Sequence, residues 1–450
     1  METNHPASKP VGDAASSLEI ESKSALPKPR LALALSGGGF RAAVFHLGVL
    51  RRIAEMGWLD RVDIISSVSG GAIIGGYLAI HWQEMLKDGG TAEALEKTIV
   101  RPFLRIVTTE NFIHKWAMRC WTLPFRKLND GTFTRTKLAG ELYSDLFYAD
   151  RSCAELPERP YLVINAASLL SIRAWRFTRD GLGDSRIGHA SWGDKPIKIG
   201  EAVGASAAFP PVFPPPRIRS ADYEFGKPVY GEKPLQPRRF IPLSDGGVYD
   251  NLGVEAVHKP TQLPGRTHAH QLSEFLLVSD AGYPAQYRFR SSGIPVLSEA
   301  LLLYRVDDIA REQVCAQRRR ELIAKFRDPR SPLKGVLIPL GGSLDRFGPE
   351  LREAYSDHVT SMCQIPEALL ALIKGIRTHL DRFTALECEA VMYHGYLMTD
   401  AILWAHRLTC PELYRAPQLP NPNWRIEFTS KTVREWTRGL ARSSTVLTWR

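Results

Sequence analysis

The chain is short of the residues that would fix it by cross-links or metals. Its six cysteines are scattered over 450 residues with no C-x-x-C pair, a distribution that points to reduced thiols instead of a disulfide frame or a zinc site. There is no H-E-x-x-H and no clustered Cys/His spacing, so no metal is expected. Neither G-x-G-x-x-G nor G-x-x-x-x-G-K-[ST] occurs, which removes the common dinucleotide and P-loop fingerprints. The longest apolar run, at 72–80, falls far short of the ~20 residues needed to span a bilayer. Residues 1–10 carry no charged-then-apolar leader pattern, and no repeat of fixed period is found. The expectation is a cytoplasmic protein whose contact with membrane, if any, is peripheral.

What is present is ordinary for a folded chain, with 44% hydrophobic and 24% charged residues. The net charge of +10 favours an anionic partner, and does not by itself choose between phospholipid headgroups and nucleic acid. Residues 1–29, rich in Ser, Ala, Pro and Lys, read as a disordered lead-in. Residues 31–82 then read as strand, glycine turn, helix, strand, serine-bearing turn, helix. The apolar run LALAL stops at Gly37-Gly38-Gly39; a helix follows with Ala43, Leu47, Leu50 and Ala54 on one face. A second strand at 62–66 runs into Ser67-Val68-Ser69-Gly70-Gly71, and the apolar helix 70–82 after it should be buried.

Further strands are expected at 161–167, 240–244, 275–279 and 336–340, with a possible partner at 175–178 and a long helix at 297–326. Strands alternating with helices predict a mainly parallel central sheet covered on both faces. The prolyl stretch 204–216 reads as a rigid loop, and 217–239 as polar turns. Residues 101–127 mix Phe103, Phe112, Trp116, Trp121 and Phe125 with arginines and lysines. They fit either a lipid-facing surface or, as the more ordinary reading, a helical cap with packed aromatics and solvated bases. Patterns from 349 to 408 are helical, and the tail from 411 is proline-rich, then basic.

The chemistry centres on Ser69, placed on a sharp turn between strand and helix, where a nucleophilic serine is exposed in many hydrolases. The bland alternative is a helix-capping serine. Ser67 stands where the G-x-S-x-G pattern has its first glycine. Gly37, Gly38 and Gly39 at a strand end can aim backbone N–H groups at one oxygen, as an oxyanion hole requires; Arg41 beside them can neutralise a phosphate or brace the loop. Asp245 ends a strand before two glycines, and Asp280 does the same before Ala281-Gly282. A Ser–Asp–His order could draw on His258, His268 or His270, while His46 reads as a packing or bracing residue.

Four blocks in this order, SGGGFR (36–41), SVSGG (67–71), ASAAFPPVFPP (205–215) and DGG (245–247), resemble the patatin-like phospholipase family, bacterial-type members in particular. The resemblance implies a three-layer α/β/α fold and a Ser–Asp dyad without histidine, with Ser69 as nucleophile and Asp245 as base. It also implies an oxyanion loop at Gly37, Gly38 and Gly39, and an acyl pocket shaped by the prolyl block through Phe209, Pro211 and Phe213. Ser36 stands where plant members often have an acidic residue, Ala42 where glycine is frequent, and Ser67 at the first elbow glycine; none of these removes a catalytic atom. The expected organisation is a lead-in at 1–29, an acyl hydrolase domain at 30–345 and a helical C-terminal extension with a basic tail at 346–450. The expected activity is cleavage of carboxylic esters in phospholipids or related acyl lipids, with no cofactor. An acyl lipid is the expected partner, along with an anionic membrane surface; nucleic acid is not expected, and the oligomeric state is left open. Two alternatives stand beside it: a Ser–His–Asp esterase of α/β-hydrolase type, and a catalytically inactive lipid- or nucleotide-binding regulator.

Overall fold

Strand β1 (Leu31–Leu35) is buried along its whole length, and its alternate side chains feed two different cores. In this computed structural model Leu31, Leu33 and Leu35 join one cluster, and Ala32 and Ala34 the other. A strand that must face apolar matter on both sides has to be apolar throughout, which is why LALAL lacks polar alternation. The structure describes residues 30–121, 133–229, 231–258, 274–282, 295–344, 355, 364–407 and 424–442. The lead-in 1–29, Phe125, His268 and His270 lie outside them.

β1 pairs in parallel with β2 (Val62–Val68) and, on its other edge, with β9 (Phe275–Asp280); β3 (Tyr161–Ser168) and β10 (Lys334–Pro339) extend this parallel half on either side. Beyond β3 the sheet turns antiparallel through β4 (Arg173–Phe177), β5 (Gly181–Asp184) and β6 (Gly188–Ser191). β7 (Arg217–Arg219) and β8 (Phe240–Asp245) form an antiparallel pair joined to β3. The mainly parallel central sheet expected from the strand–helix alternation is present, extended by this antiparallel flank.

Helix α1 (Gly39–Glu55) and the apolar stretch 70–82 of α2 (Gly70–Lys87) lie in the larger core, as the sequence predicts, while the last turn of α2 exposes Gln83, Glu84 and Lys87. Among the described residues α3 (Ala92–Leu95), α4 (Arg101–Thr109), α5 (Phe112–Trp121), α6 (Arg135–Tyr143) and α7 (Ile199–Ser206) follow. In α4 and α5, Phe103, Phe112 and Trp116 are buried in the core, as a helical cap requires, whereas Trp121 is 85% exposed. After the short α8 (Gly247–Asp250) and α9 (Glu255–His258), the long α10 (Pro295–Arg327) sets Leu322 and Phe326 against the second core on the opposite face. The layers are therefore helix, sheet, helix.

The reading of 204–216 as loop throughout is corrected at its start, because α7 carries helix through Ser206. The prolines begin only at Pro210, and small residues let α7 lie against α6, where a Cβ on Gly204 would come 3.1 Å from the Gly140 Cα. The reading of 217–239 as turns is corrected by the three residues of β7, held by pairing with β8.

After residue 345 come α11 (Glu367–Lys374), α12 (Ala385–Ala405) and α13 (Ser430–Ala441). α12 lies almost backbone to backbone on α1: a Cβ on Gly48 would stand 2.0 Å from the Met392 carbonyl oxygen. Arg52 and Asp400, both fully buried, pair across this contact at 2.7 Å, and Tyr355 donates to the same carboxylate at 2.9 Å. A buried ion pair adds little net stability, but breaking one is costly, so it fixes the register of the two helices. These helices thus pack into the same core that backs the glycine turn.

Candidate active site

β2 ends at Val68, and the next residue takes φ 48°, ψ −116° before α2 starts at Gly70. A positive φ at a residue with a Cβ is strained and persists only where the surroundings enforce it. They do so here. The Ser69 amide donates to Ser206 Oγ at 2.8 Å, and that hydroxyl donates to the Asn165 carbonyl at 2.6 Å. The Ser69 carbonyl accepts from Ala72 and Ile73 in the first turn of α2. Ser67, where a glycine was expected, is buried with its hydroxyl on the Val163 carbonyl. The room for it is made opposite: a Cβ on Gly75 would be 3.1 Å from that of Ser67. The small residue has moved from the turn to the helix facing it.

β3 brings Asp245 to this serine. It pairs with β4 along one edge, leaving β2 and β8 to share the other, where Val68 aligns with Asn165 and Asp245 with Ala166. The C-terminal ends of β2 and β8 therefore meet on neighbouring residues of β3. Asp245 is 4% exposed and accepts a hydrogen bond from the Gly247 amide at 2.7 Å, with the Ser69 hydroxyl near enough to act on its carboxylate as a second donor. Burial pushes its pKa from 3.8 up to about 6, against the pull of those two donors and of the Arg311 charge. The prolyl block holds the strand end from outside, since Asp245 and Gly246 donate to the carbonyls of Ala208 and Ser206, both at 3.1 Å. Within that block Phe213 is buried against Trp116, Phe209 is half-buried beneath Arg311, and Pro211 is exposed.

The glycine turn lies against the serine, and a Cβ on Gly37 would be 3.2 Å from that of Ser69. Its three amides are not equivalent. That of Gly37 donates to the Asn251 carbonyl at 3.1 Å, so it is already engaged. Among the described residues those of Gly38 and Gly39 have no partner. Gly39 sits at φ +59°, where a Cβ would fall 1.7 Å from the Thr378 carbonyl oxygen. Arg41 is fully buried and donates to the carbonyls of Lys374 and Ile376, each at 3.0 Å, and of Ala281 at 3.3 Å. These bonds tie the first turn of α1 to the chain at 374–376 and to the residue after β9. Ser36 ties the same turn to β9, accepting from the Ala281 amide at 2.7 Å.

The remaining candidates sit elsewhere. Asp280 is bound to Arg319 at 2.6 Å, a buried carboxylate neutralised by its own partner. His46 bridges Ser279 Oγ and the Ser36 carbonyl, and burial lowers its pKa to about 4; it braces the loop, as expected. His258 lies among Lys325, Glu321, Asp250 and Arg318 on the α10 side, with its pKa lowered mainly by burial. Among the described residues no group of His, Cys, Asp and Glu converges as a metal site, and no helix is long and apolar enough to cross a membrane.

Sequence reasoning assigned no role to Ser206, Asn165, Asn251, Tyr143 or Arg311. Asn165 did leave a signal, an amide inside the apolar run YLVINAA. Its side chain donates to Ser66 Oγ at 2.9 Å and to the Ser67 carbonyl at 3.0 Å, tying β3 to the approach to Ser69. Tyr143 is buried within reach of the Asp245 charge, and among the described residues its hydroxyl has no partner.

Comparison with known proteins bears on this arrangement. A patatin-like phospholipase domain-containing protein of Coccidioides immitis is 35% identical over 92 residues, which are 20% of this chain and 11% of that protein. The chain thus spans about a tenth of that curated relative. Among solved structures, human GIVD cytosolic phospholipase A2 aligns with a TM-score of 0.47 at 12% identity, over 86% of this chain and 60% of its own. VipD from Legionella pneumophila aligns with a TM-score of 0.32 at 12% identity, over 92% and 75%. The family model for patatin-like phospholipase matches residues 33–258, half of the chain, and takes in the glycine turn, Ser69, the prolyl block and Asp245. The chain belongs to the patatin-like phospholipase family.

Proposed function

We propose that the protein is a serine acyl hydrolase that cleaves carboxylic esters of phospholipids or related acyl lipids through Ser69 and Asp245. Ser69 Oγ attacks the ester carbonyl while the Asp245 carboxylate takes its proton. The resulting oxyanion is held by the amides of Gly38 and Gly39 and by the positive end of α2. Collapse of the tetrahedral intermediate expels the alcohol, which receives the proton from Asp245 and leaves an acyl-Ser69. Asp245 then takes a proton from water, whose oxygen attacks the acyl carbon. The second collapse releases the fatty acid and returns the proton to Ser69. Phe209, Pro211 and Phe213 border the acyl chain, and the +10 charge draws the protein to anionic bilayer surfaces.

The observation that supports this reading is the meeting of Ser69, on a strained turn, with the buried Asp245 carboxylate at neighbouring positions of β3, where burial raises the carboxyl's pKa to about 6. A carboxylate of that basicity is still ionised at neutral pH and is a better proton acceptor than an ordinary aspartate. The test is fatty-acid release from mixed phospholipid micelles by wild type, Ser69→Ala and Asp245→Asn, with fluorophosphonate labelling of Ser69 as a second readout. Loss of release in both variants and of labelling in Ser69→Ala is expected. Wild-type release in either variant sinks the dyad; tight lipid binding without labelling or release points to an inactive binding protein.

A further inference from the structure

Helix α10 carries three arginines that reach three neighbouring loops, and they differ in what holds them. Arg318 pairs with buried Asp250 at 3.1 Å and with Glu255 at 3.3 Å, and Arg319 with buried Asp280 at 2.6 Å. Both are committed to carboxylates on other elements of the fold. Arg311 is not. Its ion pairs run to Asp307, at 2.8 Å, and to Asp308, one turn back on its own helix and both part-exposed. Asp308 has a second cation near it, Arg305 at 3.8 Å. Exposed pairs at this spacing are among the weakest ion pairs, so they are readily exchanged for a better anion.

The Arg311 guanidinium lies 4.7 Å from the centre of the Phe209 ring. Phe209 follows Ala208, whose carbonyl accepts from the Asp245 amide. The cation therefore stands on the rim of the site, on an aromatic face, with about a fifth of its side chain in solvent. Stacking fixes a guanidinium in plane, and its N–H fork, held here by the part-exposed Asp307 and Asp308, can exchange them for a phosphate bound through two parallel hydrogen bonds. Arg41, the arginine that the sequence offered for this task, is buried on three carbonyls.

We propose that Arg311 is the specificity-determining residue of this site, binding the phosphate of a phosphate-bearing acyl ester and so favouring phospholipids over neutral acylglycerols. The proposal rests on the acyl-hydrolase reading of Ser69 and Asp245. It also couples binding to chemistry. Among the described residues, the side chains that act on or are acted on by the Asp245 charge are Ser69, Tyr143 and Arg311. Arg311 holds the carboxylate's proton affinity down, so a bound phosphate that offsets this charge makes Asp245 a stronger base when an anionic substrate is present.

The experiment compares kcat/KM for a phosphatidylcholine and for a diacylglycerol in the same mixed micelles, using wild type, Arg311→Gln, Arg311→Lys and Asp307→Asn. Fluorophosphonate labelling of Ser69 monitors the fold of each variant. Arg311→Gln is expected to lower the phospholipid-to-diacylglycerol ratio about ten- to a hundredfold, the worth of a charged hydrogen bond, with Arg311→Lys in between. Asp307→Asn, which removes one of the arginine's two carboxylate partners, should raise the ratio. With diacylglycerol, the acid limb of Arg311→Gln should move to higher pH, a shift that loss of packing alone does not produce. Inorganic phosphate should inhibit wild type more than Arg311→Gln if a free anion also occupies the site. An unchanged ratio in a variant that still labels, or equal loss on both lipids, overturns the proposal while leaving the dyad standing. A wild type that neither labels nor releases fatty acid overturns both.

Discussion

Replacing Asp245 by Asn should inactivate the protein and stabilise it. A carboxyl that binds its proton more tightly in the folded chain than in the unfolded one removes stability as pH rises. Here the pKa rises from 3.8 to about 6 because the group is buried. Below pH 3.8 the proton is bound in both states and no penalty exists. Between 3.8 and about 6 the penalty accumulates, and above 6 it is complete at about 3 kcal/mol. Asn cannot ionise, yet it keeps a carbonyl oxygen for the Gly247 amide that Asp245 holds at 2.7 Å. The assay is chemical denaturation of wild type and variant at pH 8, 6, 5 and 4. The variant should be more stable by up to about 3 kcal/mol at pH 8, with the gain shrinking through pH 6 and gone near pH 4. In parallel, wild-type activity should be half-maximal near pH 6 and fall about tenfold per pH unit below it. A variant no more stable than wild type at pH 8, or a gain that ignores pH, refutes the claim that burial raises this carboxyl.

Other parts of the site give separate expectations. Gly39→Ala places a Cβ 1.7 Å from the Thr378 carbonyl oxygen, so the turn must shift and steady-state kcat should fall about a hundredfold. Arg41→Met abandons three carbonyls, two of them in buried bonds, and should cost about 3 kcal/mol in denaturation experiments. It should slow phospholipid and diacylglycerol hydrolysis alike, unlike Arg311→Gln. Tyr143→Phe removes a buried hydroxyl without a partner among the described residues, so stability should hold or rise by about 1 kcal/mol. A stability loss would mean that the hydroxyl has a partner. Sedimentation with anionic vesicles should be strong at low salt and fade as the salt approaches ~1 M, where the Debye length is ~3 Å; salt-independent sedimentation would assign binding to apolar contact instead.

Most of the central sheet could be read from the sequence because each strand solves a local problem. LALAL, DIISSV and FLLVSD are runs that only a strand buried on both faces would need, and each stops at a glycine or serine turn. The antiparallel flank was harder. β5 and β6 contain Gly181, Gly183 and Gly188 and little apolar patterning, so their pairing depends on β4 beside them. Helix α7 is hard to see in the sequence because prolines crowd the stretch just after it, although proline restricts only its immediate neighbour.

The site divides in the same way. Ser69, the glycine turn and Asp245 lie at strand ends, where turn chemistry marks them, and so the sequence could point to all three. What holds them together is set by pairing across the sheet. Asn165 and Ala166 are adjacent on β3, yet one aligns with the end of β2 and the other with the end of β8. No local pattern states that alignment. The broken elbow at Ser67 is explained by the same kind of distant fact, a glycine at 75 that accepts the extra volume. The division of amides in the glycine turn depends on Asn251, and the separation of Arg311 from Arg318 and Arg319 depends on which carboxylates the fold presents to α10. Turn chemistry thus marks where a reacting group can stand, and the fold decides which neighbours it meets there. In the proposed mechanism the strained serine serves as nucleophile because β3 sets a buried carboxylate beside it.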